Sequence, residues 1–175
     1  MPFTTAIIIG IALAAVLAAM HALFSRRVQL APPPQRSAWD WLADGLYAAG
    51  LVLMAGTGFG AVLAYGRLSG WPLLAHAAGG GVFLPLLALS AVTWAHRCRG
   101  GDRGVPCGFS RALFWAGLVL GLLAGGSIMT AMTPLAGYNA QESLYAIHRW
   151  SALGLLIVLM WQCYLGVARR ALRKG

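Results

Sequence analysis

Acidic side chains are nearly missing from this sequence. Asp and Glu number four in 175 residues, and charged residues of both signs make up only 10% of the chain. Soluble domains carry about 25%, so a surface built mainly to face water is excluded. The acids are also dispersed: Asp40 and Asp44 open one apolar stretch and Glu142 precedes another, which leaves no paired carboxylates for acid-base chemistry in a pocket. A proton path or quinone pocket at Asp40 and Asp44 is weaker than the reading that they sit in the interface and need no function. Gly79-Gly80-Gly81 lies inside an apolar run, so it cannot cradle a nucleotide. No zinc-ligand spacing and no Ser-His-Asp grouping is present.

What the sequence has in excess is hydrocarbon, with 59% hydrophobic residues. A membrane-crossing helix needs roughly 20 mostly apolar residues. Five such runs can be read: residues 5–24, Trp41 to Tyr65, Trp71 to Ala95, Ala112 to Leu135 and Leu144 to Val167. Short polar or proline-rich connectors such as Ala31-Pro32-Pro33-Pro34 separate them, and no stretch remains for a soluble domain. In lipid every backbone polar group must be satisfied within the segment or a closed barrel, and runs of this length predict helices. The fold class is therefore an all-α integral membrane bundle of about five spans. The first run has no Lys or Arg ahead of it, which a secretory leader would supply, and is read as a retained span.

A net charge of +9 invites a nucleic-acid reading, so the location of the cations decides. Arg26, Arg27 and Arg36 follow the first run, Arg97, Arg99, Arg103 and Arg111 lie between the third and fourth, and Arg169, Arg170, Arg173 and Lys174 end the chain. These segments alternate, so they share one side of a membrane, and the other side has only Arg67 and Arg149. The positive-inside rule then places the N-terminus outside and the C-terminus in the cytoplasm of a bacterial inner membrane. The basic character is topology, with some contact to anionic lipid, and no nucleic-acid partner is expected. Cys98 and Cys107 fall in a predicted cytoplasmic loop, where structural disulfides are rare. Together with Cys163 they are read as unpaired thiols, and none belongs to a Cys-x-x-Cys-His haem-attachment motif.

Ionisable groups inside a span are costly and point to function. His76 lies about one and a half turns into the third run and His148 about as far into the fifth. Those runs point the same way, so the two imidazoles are expected at matched depth near the outer face, as two axial ligands of one haem iron require. Gly79-Gly80-Gly81 and Gly56-Thr57-Gly58-Phe59-Gly60 remove side chains where a flat group could approach, and plain helix packing explains such glycines equally well. Gly58 and Gly80 are the candidate cofactor contacts. Arg149 suits a haem propionate; snorkelling to the headgroups would satisfy it as well.

Ser110-Arg111-Ala112-Leu113-Phe114-Trp115, Met132-Thr133-Pro134, His148-Arg149-Trp150-Ser151-Ala152-Leu153 and Gln162-Cys163-Tyr164-Leu165-Gly166 together resemble the di-haem membrane cytochrome b subunits of respiratory formate dehydrogenases and thiosulfate reductases. The Thr57-Gly58 turn and the His76 region fit that pattern too. The likeness spans about residues 40–170, a four-helix cytochrome b-like domain, with residues 1–30 as an additional helix. It implies electron transfer between a periplasmic oxidoreductase and quinone, with His76 and His148 at the family's outer haem. Where the family's last helix supplies a second histidine, about four turns beyond His148, this chain has Gln162, and nothing near Trp41 or Asp44 completes an inner site. The resemblance thus implies one bis-histidine haem b.

A second, non-family haem between His21 and His96 is the weaker reading, because histidines at span ends need no ligand to explain them. Three function classes follow. An electron-transfer subunit serves a periplasmic oxidoreductase or cytochrome, other membrane subunits and quinone. A haem-free scaffold uses its interfacial tryptophans, Trp39, Trp41, Trp71, Trp94, Trp115, Trp150 and Trp161, as anchors. A transporter should show polar residues through several spans, and the first run has almost none.

Overall fold

In the computed structural model, the described residues are 3–24, 38–99, 108–134 and 136–171. Residues 25–37 and 100–107, with Arg26, Arg27, Arg36, Arg103 and Cys107, lie outside the described part, as do the side chains of Asp40, Asp44, His96, Arg97, Cys98, Arg99, Arg169 and Arg170. The described chain is helical, without strands: α1 (Phe3–Phe24), α2 (Ala38–Ala55), a π-helical turn (Gly56–Gly60), α3 (Ala61–Tyr65), α4 (Gly70–Arg99), α5 (Gly108–Ala131) and α6 (Tyr138–Ala171). Among them are five helical segments long and apolar enough to cross a membrane, at the five runs read from hydropathy. Ile8, Leu13 and Val16 on α1, Val52 on α2 and Val82 and Val92 on α4 point outward and exposed, a surface suited to acyl chains rather than water.

The second run is not one regular helix. Gly-Thr-Gly-Phe-Gly at 56–60 forms the π turn, with Thr57 Oγ1 donating back to the carbonyls of Leu53 (2.7 Å) and Met54 (3.4 Å). The run then stops at Gly66, whose φ of +70° is open to glycine and whose N–H reaches Val62 O at 2.9 Å. The fifth run also differs, since α6 starts at Tyr138, before the expected Leu144. Residues 138–143, Tyr-Asn-Ala-Gln-Glu-Ser, are polar, yet they wind as helix at the start of the candidate span Tyr138–Leu165, with Gln141 N–H bonded to Gly137 O.

Contacts divide the chain into two compact units, Met1–Pro32 with Pro106–Gly175, and Pro33–Val105. In the second unit α2 and its π turn pack antiparallel on α4. Tyr47 stacks on Phe83 at 5.8 Å, a Cβ on Gly50 would meet Leu86 at 3.3 Å, Met54 faces Gly79 and Gly80, and Thr57 faces His76.

In the first unit α5 and α6 run antiparallel. Three polar side chains of α6 donate to main-chain carbonyls of α5: Gln141 to Ala131 (3.3 Å), His148 to Ala124 (2.8 Å) and Gln162 to Leu113 (3.2 Å). Gln141, His148, Leu155 and Gln162 recur every seven residues, so they form one stripe along the seam. Between the polar rungs the helices close tightly, with Leu120 over Gly154 and Val158 over Gly117. Small residues permit such close approach in lipid.

The first helix packs on the last. Phe3 meets Trp150 edge-on at 5.7 Å, Gly10 faces Leu153 and Ile157, and His21 meets Trp161 and Tyr164. These contacts advance together along both chains, so α1 runs parallel to α6. α1 thus forms one compact unit with α5 and α6.

Candidate functional site

His148 is half-buried on α6. Its Nδ1 lies 2.8 Å from the Ala124 carbonyl. A carbonyl only accepts, so Nδ1 carries the proton and the basic lone pair of the ring sits on Nε2. Ala124 O also accepts Ser127 Oγ at 3.1 Å, which makes this carbonyl a convergence point where the stripe crosses α5.

His76, on α4, reaches the same protonation by another route. Its Nδ1 is 3.2 Å from Thr57 Oγ1. The hydroxyl has one proton, and its shortest contact is to Leu53 O at 2.7 Å, an acceptor only. Thr57 therefore donates to Leu53 and accepts from His76, which again puts the ring lone pair on Nε2. The imidazole lies close against the π turn: a Cβ built on Gly58 would stand 2.8 Å from Cε1 and 3.1 Å from Nδ1. Glycine at 58 is what lets the ring come this close.

Both histidines thus share the pattern of metal-ligating imidazoles, in which one ring nitrogen donates to an oxygen and fixes the tautomer for the other. They belong to different units, His76 to the α2–α4 unit and His148 to the α1–α5–α6 unit. His76 lies six residues beyond Gly70, the first residue of α4, and His148 ten residues beyond Tyr138, the first residue of α6.

Gly80 is placed opposite the Met54 terminal methyl, 3.7 Å from where a Cβ would be, an ordinary packing distance on the α2–α4 seam. Arg149 is exposed and shares a shallow concavity on α6 with Tyr138, Gln141, Glu142, Tyr145 and Ala146. His21 accepts or donates at 2.9 Å to Tyr164 OH inside a His21–Trp161–Tyr164 edge-to-face cluster. Gln162 gives its amide to Leu113 O. It keeps the donor that a histidine would offer there and lacks the basic ring nitrogen. Cys163 is an exposed free thiol.

Among the described residues no three His, Cys, Asp or Glu side chains come together around one ion position. A structural zinc centre needs about four protein ligands, whereas a porphyrin iron asks the protein for two. No protein-family model, curated protein or solved structure matches the chain.

Sequence reasoning missed the positioning roles of Thr57 and Gln141. The signal for Gln141 was its spacing from His148 and Gln162. That for Thr57 was a hydroxyl between two glycines within a span, which single-residue hydropathy does not register.

Proposed function

We propose that the chain is a membrane-anchored b-type cytochrome subunit that holds one haem b between His76 and His148. The single observation that carries this reading is the shared donation from Nδ1 to an oxygen, which makes Nε2 the ligating atom of both rings. Bound between two imidazoles, a haem supplies a one-electron Fe(III)/Fe(II) couple with no open coordination position, suited to relay rather than oxygen chemistry. The protein's part is to hold the rings. Ala124 fixes His148, Thr57 and Gly58 fix His76, and Arg149 is the candidate partner of a propionate. Residues 40–170 form the haem-holding portion in this reading, and electrons pass between a periplasmic oxidoreductase or cytochrome and quinone or a neighbouring membrane subunit.

The test is the reduced-minus-oxidised spectrum of the detergent-purified protein. A sharp b-type band is expected in the parent and lost in both His76→Ala and His148→Ala. A parent without the band, given haem during expression, sinks the reading.

The distribution of cations supports a bacterial inner-membrane location with the C-terminus in the cytoplasm. A C-terminal phosphatase fusion is expected to be inactive and a fluorescent-protein fusion bright. The opposite pair of results inverts the topology and removes the periplasmic partner.

A second reading, a haem-free scaffold, is favoured by one fact: His148 is one rung of three, and its neighbours Gln141 and Gln162, whose amides are not haem ligands, make the same kind of bond to α5.

A further inference from the structure

We propose that Thr57 is the positioning residue of the ligand His76, holding the ring in its Nδ1–H tautomer and thereby tuning the redox potential of the bound haem. The inference deepens the cytochrome reading and rests on it for the redox part.

The argument begins with the backbone. A π turn inside a longer helix is rare, and such turns concentrate at functional positions. Here it falls at 56–60, opposite the histidine of α4. A threonine in mid-helix normally spends its hydroxyl proton on a carbonyl one turn back, as Thr57 does with Leu53. That ordinary bond has a consequence. With its only proton committed, Oγ1 presents lone pairs alone to His76, and the ring can satisfy it only as a donor from Nδ1.

Two hydrogen bonds in series thus translate the direction of the Leu53 carbonyl into the protonation of the imidazole. Gly58, the next residue, removes the one atom that would hold the ring away. The two histidines are consequently not equivalent. His148 donates to a carbonyl at 2.8 Å, and His76 to a hydroxyl at 3.2 Å that is itself polarised by its donation to Leu53. Donation from the far nitrogen raises the basicity of the ligating one, which stabilises the ferric state. Removing the hydroxyl should therefore raise the midpoint potential.

The variants are Thr57→Val, isosteric and without a donor or acceptor, Thr57→Ala, which avoids any β-branched packing problem, and Thr57→Ser, which restores the hydroxyl. The first measurement uses haem-free protein labelled with 15N-histidine, the His76 signal being identified by its absence in His76→Gln. The Nδ1–H tautomer is expected to dominate in the parent and in Thr57→Ser, and to give way to Nε2–H in Thr57→Val and Thr57→Ala. The second is a redox titration of the haem-loaded proteins. Poised at the parent's midpoint, the Val and Ala variants are expected to hold reduced over oxidised haem by about two- to tenfold, the range one hydrogen bond supplies, with Ser near unity. A merely structural Thr57 would change stability without moving either readout.

An unchanged tautomer in Thr57→Val and Thr57→Ala overturns the proposal whatever the haem content. A changed tautomer with an unchanged potential overturns the tuning role. A parent that shows the Nδ1–H tautomer and takes up no haem defeats the cytochrome reading and the redox role with it, leaving Thr57 as a tautomer clamp alone.

Discussion

Gly58→Ala is expected to weaken haem binding by roughly five- to a hundredfold, on the order of the 1–3 kcal/mol that overpacking costs, while Gly56→Ala and Gly60→Ala stay loaded. The three glycines share one π turn and differ in what a methyl would meet. At 56 and 60 there is open space within 4 Å, and at 58 the methyl would meet the His76 ring at 2.8 Å. The ring can yield only by giving up its 3.2 Å bond to Thr57 and swinging off the turn. Backbone preference works the other way, since alanine favours helix over glycine by about 1 kcal/mol. A loss of haem without a loss of helix stability would therefore be a specific effect of the ring's displacement. Pyridine haemochrome per mole of protein is the measurement, with circular dichroism melts alongside. A Gly58→Ala protein as fully loaded as the parent would mean that His76 does not ligate from this position.

His148→Gln separates the two readings of that residue. Gln141 and Gln162 show on the same helix that a glutamine amide reaches an α5 carbonyl, so glutamine at 148 should keep the rung to Ala124. Glutamine has no basic ring nitrogen. The expected result is a protein with no b-type band that unfolds in detergent within about 1 kcal/mol of the parent, one hydrogen bond's net worth. His148→Ala should lose the band and the rung together. Full haem in His148→Gln would return the residue to helix packing and leave the scaffold reading standing.

Much of this architecture was legible because a span announces itself by length and hydropathy alone. All five runs are there as helices, and the candidate histidines are on the third and fifth. What hydropathy could not register was polar helix and irregular helix. Tyr138 to Ser143 is helical because a backbone winds regardless of how wet its side chains are. The π turn at 56–60 arises from a glycine-rich local sequence that still averages as apolar. The candidate site was half legible. His76 and His148 stood out as ionisable groups within spans, and Gly58 stood out as a gap; only coordinates tied the gap to the ring. Gly80 looked the same in sequence, and it lies with Gly79 over Met54 on the α2–α4 seam.

The pairing of the first helix with the last bears on the order in which the protein is made. His21 and its partner Tyr164 are 143 residues apart, so at about 5–20 residues per second the ribosome needs roughly 7 to 30 s to deliver the surface that α1 will cover. Through that interval α1 lacks the α6 surface it packs on, and it is the most apolar of the five candidate spans. The latecomer α6 is the least apolar and carries Gln141, His148 and Gln162. It follows α5 directly in the chain, and α5 already offers the carbonyls those side chains need.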